Sequence, residues 1–443
     1  MRILQVTDGY PPAVGGLERT VKALAHELAD RGHQVEVATL GADAAEVTSE
    51  GAVTVRRLIG WTRHLRRFSN DPHHQFHPTA PDPQLVRRLQ EVVDEFRPDV
   101  VHAHGWILHS CLSLRLPTGT ALVVTLHDYS LNCAKKTLVQ GEQLDTCCAG
   151  ASLRRCLPCA NQFYGPVKGT ALTLGLAESR RRLDRVDMFL PVSGAVAGAS
   201  LPGVEGDRIV VIPPFVPDGL GSAPDLGRPD FLPAGDFLLF VGALGAHKGI
   251  DILARAHQNL GAALPLVVIG PTDAEVPVPR GSADRPVILR SGVAHEQIMA
   301  AFSAATVAVV PSRWSEPFGL VAVEALACGV PVVASRVGAL GEIVLDGDCG
   351  LLVEPGDVQG LTQALDRLIS DPGLRRRLGR RGKEHALTFA AAAVVPRVID
   401  VYQHVLQRVS GPPRSVRTGQ DRPPGDQRSA TPAFRARWTS ETA

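Results

Sequence analysis

Two glutamates eight positions apart carry the clearest chemistry in this sequence. An apolar run ends at Pro311, Glu316 follows after a short loop, and Glu324 lies in a second apolar stretch. The pattern predicts a buried strand up to Pro311 and a helix from about Pro317 to Gly329, because Pro suits a first helical turn and Gly ends helices. Glu316 then stands at the helix entrance, and Glu324 lies two turns along it.

The start of this helix also offers backbone donors. The N–H groups of Phe318, Gly319 and Leu320 would have no partner inside the helix, which favours a phosphate there. Carboxylates accept hydrogen bonds from hydroxyl groups, so the arrangement suits a nucleotide sugar. The plainer alternative is that Glu316 only caps the helix and that Glu324 is a surface charge.

Strands and helices alternate through both halves of the chain. The predicted strands are 2–7, 35–39, 53–59, 100–102, 121–125 and 189–193 in the first half, and 237–241, 266–269, 287–289, 307–310, 332–334 and 351–353 in the second. Such alternation indicates parallel sheets with right-handed crossovers. We therefore expect an α/β protein with two Rossmann-like doubly wound domains facing a cleft, where ligands bind beyond the carboxyl ends of the strands.

The Gly- and Pro-rich stretch at 213–235 separates these halves, giving an N-terminal domain at 1–212 and a C-terminal domain at 236–390. Residues 411–443 are rich in Pro and Arg and poor in apolar residues, so we expect a disordered tail. Its basic bias could contact acidic lipid or nucleic acid, but a solvated tail is the favoured interpretation.

Charge and composition exclude several function classes. The 443 residues include 46 Lys and Arg against 45 Asp and Glu, for a formal net charge of +1, and 5% aromatic residues. A near-neutral chain with few aromatic side chains is not expected to bind nucleic acid specifically. No apolar run reaches the ~18 residues of a membrane span, and the first residues lack a signal-peptide core, so we expect a cytoplasmic protein.

One stretch leaves room for a peripheral contact at the inner face of the membrane. Residues 168–185 combine several leucines with a cluster of arginines. This segment could rest on a membrane surface to reach a lipid-linked acceptor. An ordinary helix packed on the N-terminal domain, with a solvated basic end, is the favoured alternative.

Five of the eight cysteines crowd into an insertion at 130–163, and they are Cys133, Cys147, Cys148, Cys156 and Cys159. The last two have the C-x2-C spacing of zinc sites, and Cys133 with Cys147 or Cys148 would complete four thiolates. A loop of about 30 residues without helix or strand signals needs such a cross-link to stabilise it. We predict a structural zinc ion; free thiols, a disulfide and an iron–sulfur cluster are the alternatives.

The segment Glu316-Pro-Phe-Gly-Leu…Glu324 resembles the E-x7-E signature of the retaining glycosyltransferases of family 4, which have the GT-B fold. The loop 8–16, with its Gly15-Gly16 pair, resembles the loop after the first strand of that family. Segments 99–104 and 125–128 resemble two further parts of its N-terminal domain. Together these segments follow the family order over roughly residues 1–405, which is far more specific than a lone Gly-rich loop.

The resemblance assigns roles to the residues of that segment. It implies that Glu316 contacts hydroxyl groups of the donor sugar and that Glu324 contacts the ribose hydroxyls. The amides of Phe318, Gly319 and Leu320 would meet the diphosphate. It also implies that the helix at 391–410 crosses back to the N-terminal domain.

Lys248 matches the phosphate-binding lysine of the family, and a lysine there would neutralise a leaving diphosphate. In the same segment the family usually has an arginine where this chain has Ala243. Arg313 could substitute for it, or it could be a loop arginine in solvent. The departure puts the donor and the catalytic strength in doubt.

On the N-terminal side, the resemblance brings His127 to the donor sugar and the reaction centre, where a neutral imidazole could donate to a hydroxyl. A structural histidine at a strand end is the alternative. We expect His102 and His104 to face opposite sides of their strand, so that one at most reaches the cleft. Gly15 and Gly16 would let phosphate or acceptor approach the backbone, or merely form a tight turn.

The predicted activity is transfer of a sugar, with retention, from a nucleotide-diphosphate sugar to an acceptor that the sequence leaves open, as it does the donor base and sugar. We expect no protein nucleophile and no catalytic metal. The alternatives are a GT-B relative with other chemistry, an epimerase or phosphorylase, and a catalytically weak sugar-nucleotide binding protein, which Ala243 suggests.

Overall fold

The computed structural model describes residues 1–12, 15–41, 44–61, 63–64, 77–140, 145–146, 151–221, 227–271 and 281–410. The predicted tail at 411–443 lies outside the described residues, and so do Cys147 and Cys148.

The first half of the chain forms a seven-stranded sheet in the order β3-β4-β2-β1-β5-β6-β9. The strands of this half are β1 (Arg2–Thr7), β2 (Gln34–Leu40), β3 (Glu46–Glu50), β4 (Val53–Leu58), β5 (Val100–His104), β6 (Ala121–Leu126), β7 (Val139–Gln140), β8 (Asp145–Thr146) and β9 (Met188–Pro191). All neighbours in the sheet pair in parallel except β3, which runs antiparallel to β4. Strands β7 and β8 form a separate two-stranded ribbon.

The second half forms a six-stranded parallel sheet in the order β12-β11-β10-β13-β14-β15. Its strands are β10 (Leu238–Val241), β11 (Leu266–Ile269), β12 (Val287–Arg290), β13 (Val307–Val310), β14 (Val332–Ser335) and β15 (Gly350–Val353). Strands β11, β13 and β14 are buried along their whole length, as expected for a parallel sheet covered by helices on both faces. The predicted doubly wound α/β class is confirmed, with one sheet in each predicted domain range.

Helices cover both sheets. Those of the first half are α1 (Gly16–Asp30), α2 (Pro83–Phe96), α3 (Leu108–Cys111), α4 (Leu153–Tyr164), α5 (Pro166–Ser179) and α6 (Gly194–Ser200). Those of the second half are α7 (Ile250–Asn259), α8 (His295–Ala304), α9 (Leu320–Ala327), α10 (Leu340–Ile343), α11 (Val358–Ser370), α12 (Pro372–Ala386) and α13 (Ala391–Val409).

The last helix, α13, packs on the first lobe, against α1 and β6. Its buried face joins the apolar core of that lobe through Val394, Val395, Val398, Val401, Tyr402 and Val405. Burying a valine is worth about 1.5–3 kcal/mol, so this one face holds α13 firmly on the first lobe.

Two local predictions need correction. The helix expected from Pro317 begins at Leu320, because Gly319 has a φ of 114°, in the left-handed region that a helix interior does not contain. The insertion expected to be a loop contains α4, so Cys156 and Cys159 lie on a helix. The sequence did not predict this helix, because Pro158 lies within it and Pro normally interrupts helices.

Candidate active site

The centre of the site is the carboxylate of Glu316, whose side chain is only 7% exposed. Its Oε1 accepts hydrogen bonds from Lys248 Nζ at 2.6 Å, Ser312 Oγ at 2.7 Å and Trp314 Nε1 at 2.9 Å. A buried carboxylate is costly unless a cation and donors compensate it, and this one has both. Because these three bonds converge on Oε1, Oε2 is the oxygen available to a ligand.

Parallel pairing brings Lys248 and Glu316 together. Lys248 ends a 3-10 turn (Ala246–Lys248) that follows β10, and Glu316 follows the neighbouring strand β13. The next residue, Gly249, has a φ of 71°, and a Cβ there would lie 1.9 Å from Pro311 O. Only glycine allows this close approach, which keeps the lysine turn against the end of β13.

A second close approach fixes the backbone of Glu316. The N–H of Ala339 donates to Glu316 O at 2.9 Å. Gly338 has a φ of 55°, and a Cβ on it would lie 2.4 Å from the same carbonyl oxygen. The glutamate is therefore held by its backbone as well as by its side chain.

The predicted backbone nest lies beside this carboxylate. Gly319 is the residue before α9, and the first N–H groups of α9 have no acceptor within the helix. From the opposite lobe, Gly16 begins α1, and a Cβ on it would lie 4.0 Å from Leu320 Cδ1. Gly15 precedes it in extended conformation. The starts of α1 and α9 therefore lie close together, and the N–H groups at the start of α9 favour an anion.

Glu324 lies on α9 and is buried at 8% exposure. Burial raises the pKa of Glu324 to about 7, and the charge of Arg19 partly offsets the rise. His295 Nε2 lies 3.8 Å from Glu324 Oε1, and Arg19 Nη1 lies 3.3 Å from His295 Nδ1. Arg19, His295 and Glu324 thus form a cluster that joins both lobes. The sequence did not predict His295 as part of it. The one hint in the sequence was Arg19, a cation just after the Gly15-Gly16 pair.

His127 follows β6 and is partly exposed. Its Nε2 lies 3.0 Å from His104 Nδ1, and burial lowers the pKa of His127 to about 4. The expectation that His102 and His104 face opposite sides was wrong, since their ring centroids are 4.1 Å apart. Side chains alternate along a strand, so residues two positions apart share a face.

Arg313 lies next to the lysine turn. Its N–H donates to His247 O at 2.9 Å, and its guanidinium lies 3.8 Å from the carboxylate of Asp251 on α7. Its substitution for the arginine replaced by Ala243 stays a prediction. Ser312 and Trp314, which flank Arg313 and bind Glu316, were not predicted, because only the fold shows which of these neighbouring side chains turn inward.

Hydrogen bonds join the two lobes around segment 315–317. Tyr129 OH lies 2.6 Å from Ser315 Oγ, and Ser193 Oγ donates to Pro317 O at 2.6 Å. Glu342 accepts from the N–H groups of Gly194 at 3.0 Å and Ala195 at 2.9 Å, at the start of α6. The lobes therefore meet directly beside the Glu316 carboxylate.

Three cysteines of the insertion lie close together. Cys133, Cys156 and Cys159 line one small cavity and carry free thiols. Within the ranges that the structure describes, no three His, Cys, Asp or Glu side chains are arranged to hold a metal ion. Since Cys147 and Cys148 fall outside those ranges, the zinc ion stays a prediction.

Comparison with known proteins points to one family. The model for glycosyl transferases group 1 matches residues 231–385, and the model for glycosyltransferase family 4 matches residues 14–219. A D-inositol 3-phosphate glycosyltransferase from Acidothermus cellulolyticus is 31% identical over 419 residues, covering 88% of this chain and 86% of that protein.

Solved structures agree on the fold. Sucrose-phosphate synthase from Thermosynechococcus elongatus aligns with a TM-score of 0.66 at 22% identity, over 92% of this chain and all of that one. Anabaena Alr3699/HepE in complex with UDP-glucose aligns with a TM-score of 0.60 at 18% identity, over 91% of this chain and all of that one.

The two facing sheets and these likenesses define a GT-B glycosyltransferase, an enzyme of the hexosyltransferase type. Within that class the chain belongs to the glycosyl transferases group 1, glycosyltransferase family 4, as the resemblance of its segments indicated. None of the helices described is long and apolar enough to cross a membrane.

The pairing of Lys248 with Glu316 predicts a stability effect. Lys248→Met should lower the free energy of unfolding by about 1–3 kcal/mol, because it leaves a buried carboxylate without its cation. Adding Glu316→Gln should recover part of that loss, since the amide carries no charge. Urea unfolding of the parent protein, the two single variants and the double variant measures the coupling energy between the two side chains. If the loss in the double variant equalled the sum of the two single losses, a direct interaction would be contradicted.

Proposed function

We propose that this enzyme transfers a hexose, with retention, from a nucleotide-diphosphate sugar to a hydroxyl group of an acceptor. The observation that carries the proposal is the compensated carboxylate of Glu316 with a free Oε2, next to the facing starts of α1 and α9. The UDP-glucose complex of a protein with the same fold supports a uridine diphosphate hexose as the first donor to test.

In this proposal the diphosphate lies against Lys248 and the amides of Phe318, Gly319 and Leu320. Their positive charge and N–H groups stabilise the charge that develops on the leaving phosphate oxygen. Glu316 Oε2 accepts from a hydroxyl group of the sugar and orients its ring.

Transfer is then a front-face displacement. The bond between the anomeric carbon and the phosphate oxygen breaks while the acceptor oxygen bonds to the same face of that carbon. The proton of the acceptor hydroxyl passes to the leaving phosphate oxygen. The reaction therefore needs no protein nucleophile.

Glu316→Gln tests the role of the central carboxylate. We expect kcat/KM to fall by about 10²–10⁴-fold, because the amide holds neither Lys248 nor the sugar in the same way. The measurement is nucleotide release from UDP-, GDP-, ADP- and TDP-sugars with a panel of sugar and lipid acceptors, after a thermal-shift screen selects the donor.

Glu91→Gln, at an exposed carboxylate on α2, is the matched control and should retain full activity. Full activity of Glu316→Gln would contradict the assignment. Donor binding without turnover on any acceptor would favour a weak sugar-nucleotide binding protein, the alternative that Ala243 suggests. A requirement for inorganic phosphate would favour a phosphorylase.

Glu324 makes donor binding depend on pH. Its pKa of about 7 means that it is protonated below that pH, and the ionised carboxylate is the better acceptor for two ribose hydroxyls. We therefore expect the donor Kd to fall about tenfold as the pH rises from 6 to 8. Titration calorimetry with an intact sugar nucleotide, whose diphosphate does not titrate in this range, measures it.

Glu324→Gln should bind more weakly and lose most of this pH dependence, whereas Glu91→Gln should keep it. An unchanged slope in Glu324→Gln would show that another group titrates.

We also propose that the surface of α4 and α5 rests on an anionic membrane, where a lipid-linked acceptor would be within reach. Four large apolar side chains there are exposed, namely Leu153 at 45%, Phe163 at 62%, Val167 at 84% and Leu174 at 50%. Arg154 and Arg155 follow Leu153 directly in α4 and add positive charge to this surface. Exposed apolar side chains flanked by arginines suit the boundary between headgroups and acyl chains.

Vesicle sedimentation tests this surface. The protein should bind phosphatidylglycerol vesicles more strongly than phosphatidylcholine vesicles. Val167→Glu with Leu174→Glu should abolish binding without lowering the melting temperature, since both side chains lie on one exposed face two turns apart. Equal binding by the double variant, or no binding by the parent protein, would contradict the proposal.

A further inference from the structure

A buried chain of hydrogen bonds leads from the C-terminal helix to His127. Tyr402 OH on α13 lies 3.3 Å from Gln5 Nε2 on β1, and Gln5 Oε1 lies 2.6 Å from His104 Nε2 on β5. His104 Nδ1 lies 3.0 Å from His127 Nε2. Tyr402 and Gln5 are fully buried, and His104 is 1% exposed.

A branch of the chain ends at a threonine. Tyr402 OH lies 2.6 Å from His102 Nδ1, and His102 Nε2 lies 2.7 Å from Thr125 Oγ1. The phenol thus makes two hydrogen bonds, one on each side. Buried polar groups are almost always hydrogen-bonded, so we expect every donor and every acceptor in this series to have a partner.

All three histidines are neutral at physiological pH. Burial lowers the pKa of His102 to about 3 and that of His127 to about 4, and it lowers the pKa of His104 well below the ordinary value. Asp128 and Glu18 act in the opposite direction on His127, but burial outweighs them. A neutral imidazole has one N–H and one lone pair in its ring plane, so one hydrogen bond decides the role of the other nitrogen.

Gln5 then decides which atom is the donor and which is the acceptor in each of these hydrogen bonds. Its Nε2 can only donate, so Tyr402 OH accepts there and donates to His102 Nδ1. Its Oε1 can only accept, so His104 carries its proton on Nε2. His104 Nδ1 is then the acceptor, and His127 donates to it from Nε2.

We propose that Tyr402, Gln5 and His104 are positioning residues that hold His127 as the Nε2–H tautomer, so that its Nδ1 lone pair accepts a hydrogen bond from a hydroxyl group in the cleft. This assignment of the hydroxyl to the bound sugar or acceptor rests on the proposed function. The hydrogen bond from Nε2 to His104 is the one that His127 makes within the described residues, which leaves Nδ1 for a ligand.

The tautomer reverses the role that the sequence suggested for this residue. His127 accepts where it was expected to donate. A hydroxyl group can supply the proton for that bond, whereas an ionised phosphate oxygen cannot. His127 therefore selects for a hydroxyl at its position, and it leaves the diphosphate to Lys248 and the amides on the other lobe.

Nitrogen-15 NMR of the histidine rings in the free enzyme tests the tautomer directly. With His127 assigned by the loss of its signals in His127→Gln, we expect an unprotonated Nδ1 and a protonated Nε2 at pH 7. A protonated Nδ1, in a neutral ring or an imidazolium, would overturn the proposal; the reversed amide orientation of Gln5 predicts that result. The test needs no ligand, so it is independent of the proposed function.

Tyr402→Phe tests whether the remote hydroxyl sets the tautomer. Gln5 Nε2 loses its acceptor, its amide can turn, and His127 should show averaged signals of both tautomers. Once the activity is in hand, kcat should fall about two- to tenfold with donor KM changed less than about twofold, because a fraction of molecules holds the wrong tautomer. Tyr164→Phe, which removes a hydroxyl bonded to Ala134 O in the same lobe, should change neither. Unchanged His127 signals in Tyr402→Phe would overturn the role of Tyr402.

Discussion

The candidate site depends on one buried carboxylate that is paired with a lysine. Glu316 is nearly inaccessible to water, and an ion in that position is tolerated only with a cation and further hydrogen bonds. Lys248, Ser312 and Trp314 supply them on one oxygen. Much of the second lobe serves this arrangement, because β10 and β13 must be adjacent and the glycines at 249 and 338 must permit close backbone contacts.

The first lobe completes the site by bringing complementary groups to the same edge. The starts of α1 and α9 face each other, and hydrogen bonds from Tyr129 and Ser193 reach the residues on either side of Glu316. Helix α13 then links the end of the chain to the interior of the first lobe, where Tyr402 meets Gln5 and His102. The candidate site is therefore supported from both lobes and from helix α13.

The sequence predicted what local periodicity and spacing can specify. The strands 2–7, 266–269 and 307–310 and the helix 83–96 have the observed bounds, because each is a continuous apolar or amphipathic segment. Strand β3 was missed, since its sequence EVTSE is polar and the strand lies at the exposed edge of the sheet. The spacing of Glu316 and Glu324 indicated the site.

Contacts between distant residues could not be predicted in the same way. Arg19 and His295 are 276 positions apart, and His102 and Tyr402 are 300 apart. Each pair meets only because two lobes and a returning helix are packed together, and no local pattern encodes that packing. For the same reason the sequence indicates Glu316 and Glu324 but not Ser312 and Trp314, whose side chains bind Glu316.

A crystal structure of the enzyme with an intact nucleotide sugar would show whether Lys248 and Glu316 hold the donor. We expect the diphosphate within hydrogen-bond distance of Lys248 and the amides at the start of α9, and a sugar hydroxyl on Glu316 Oε2. A donor bound elsewhere in the cleft, or a sugar turned away from Glu316, would contradict it.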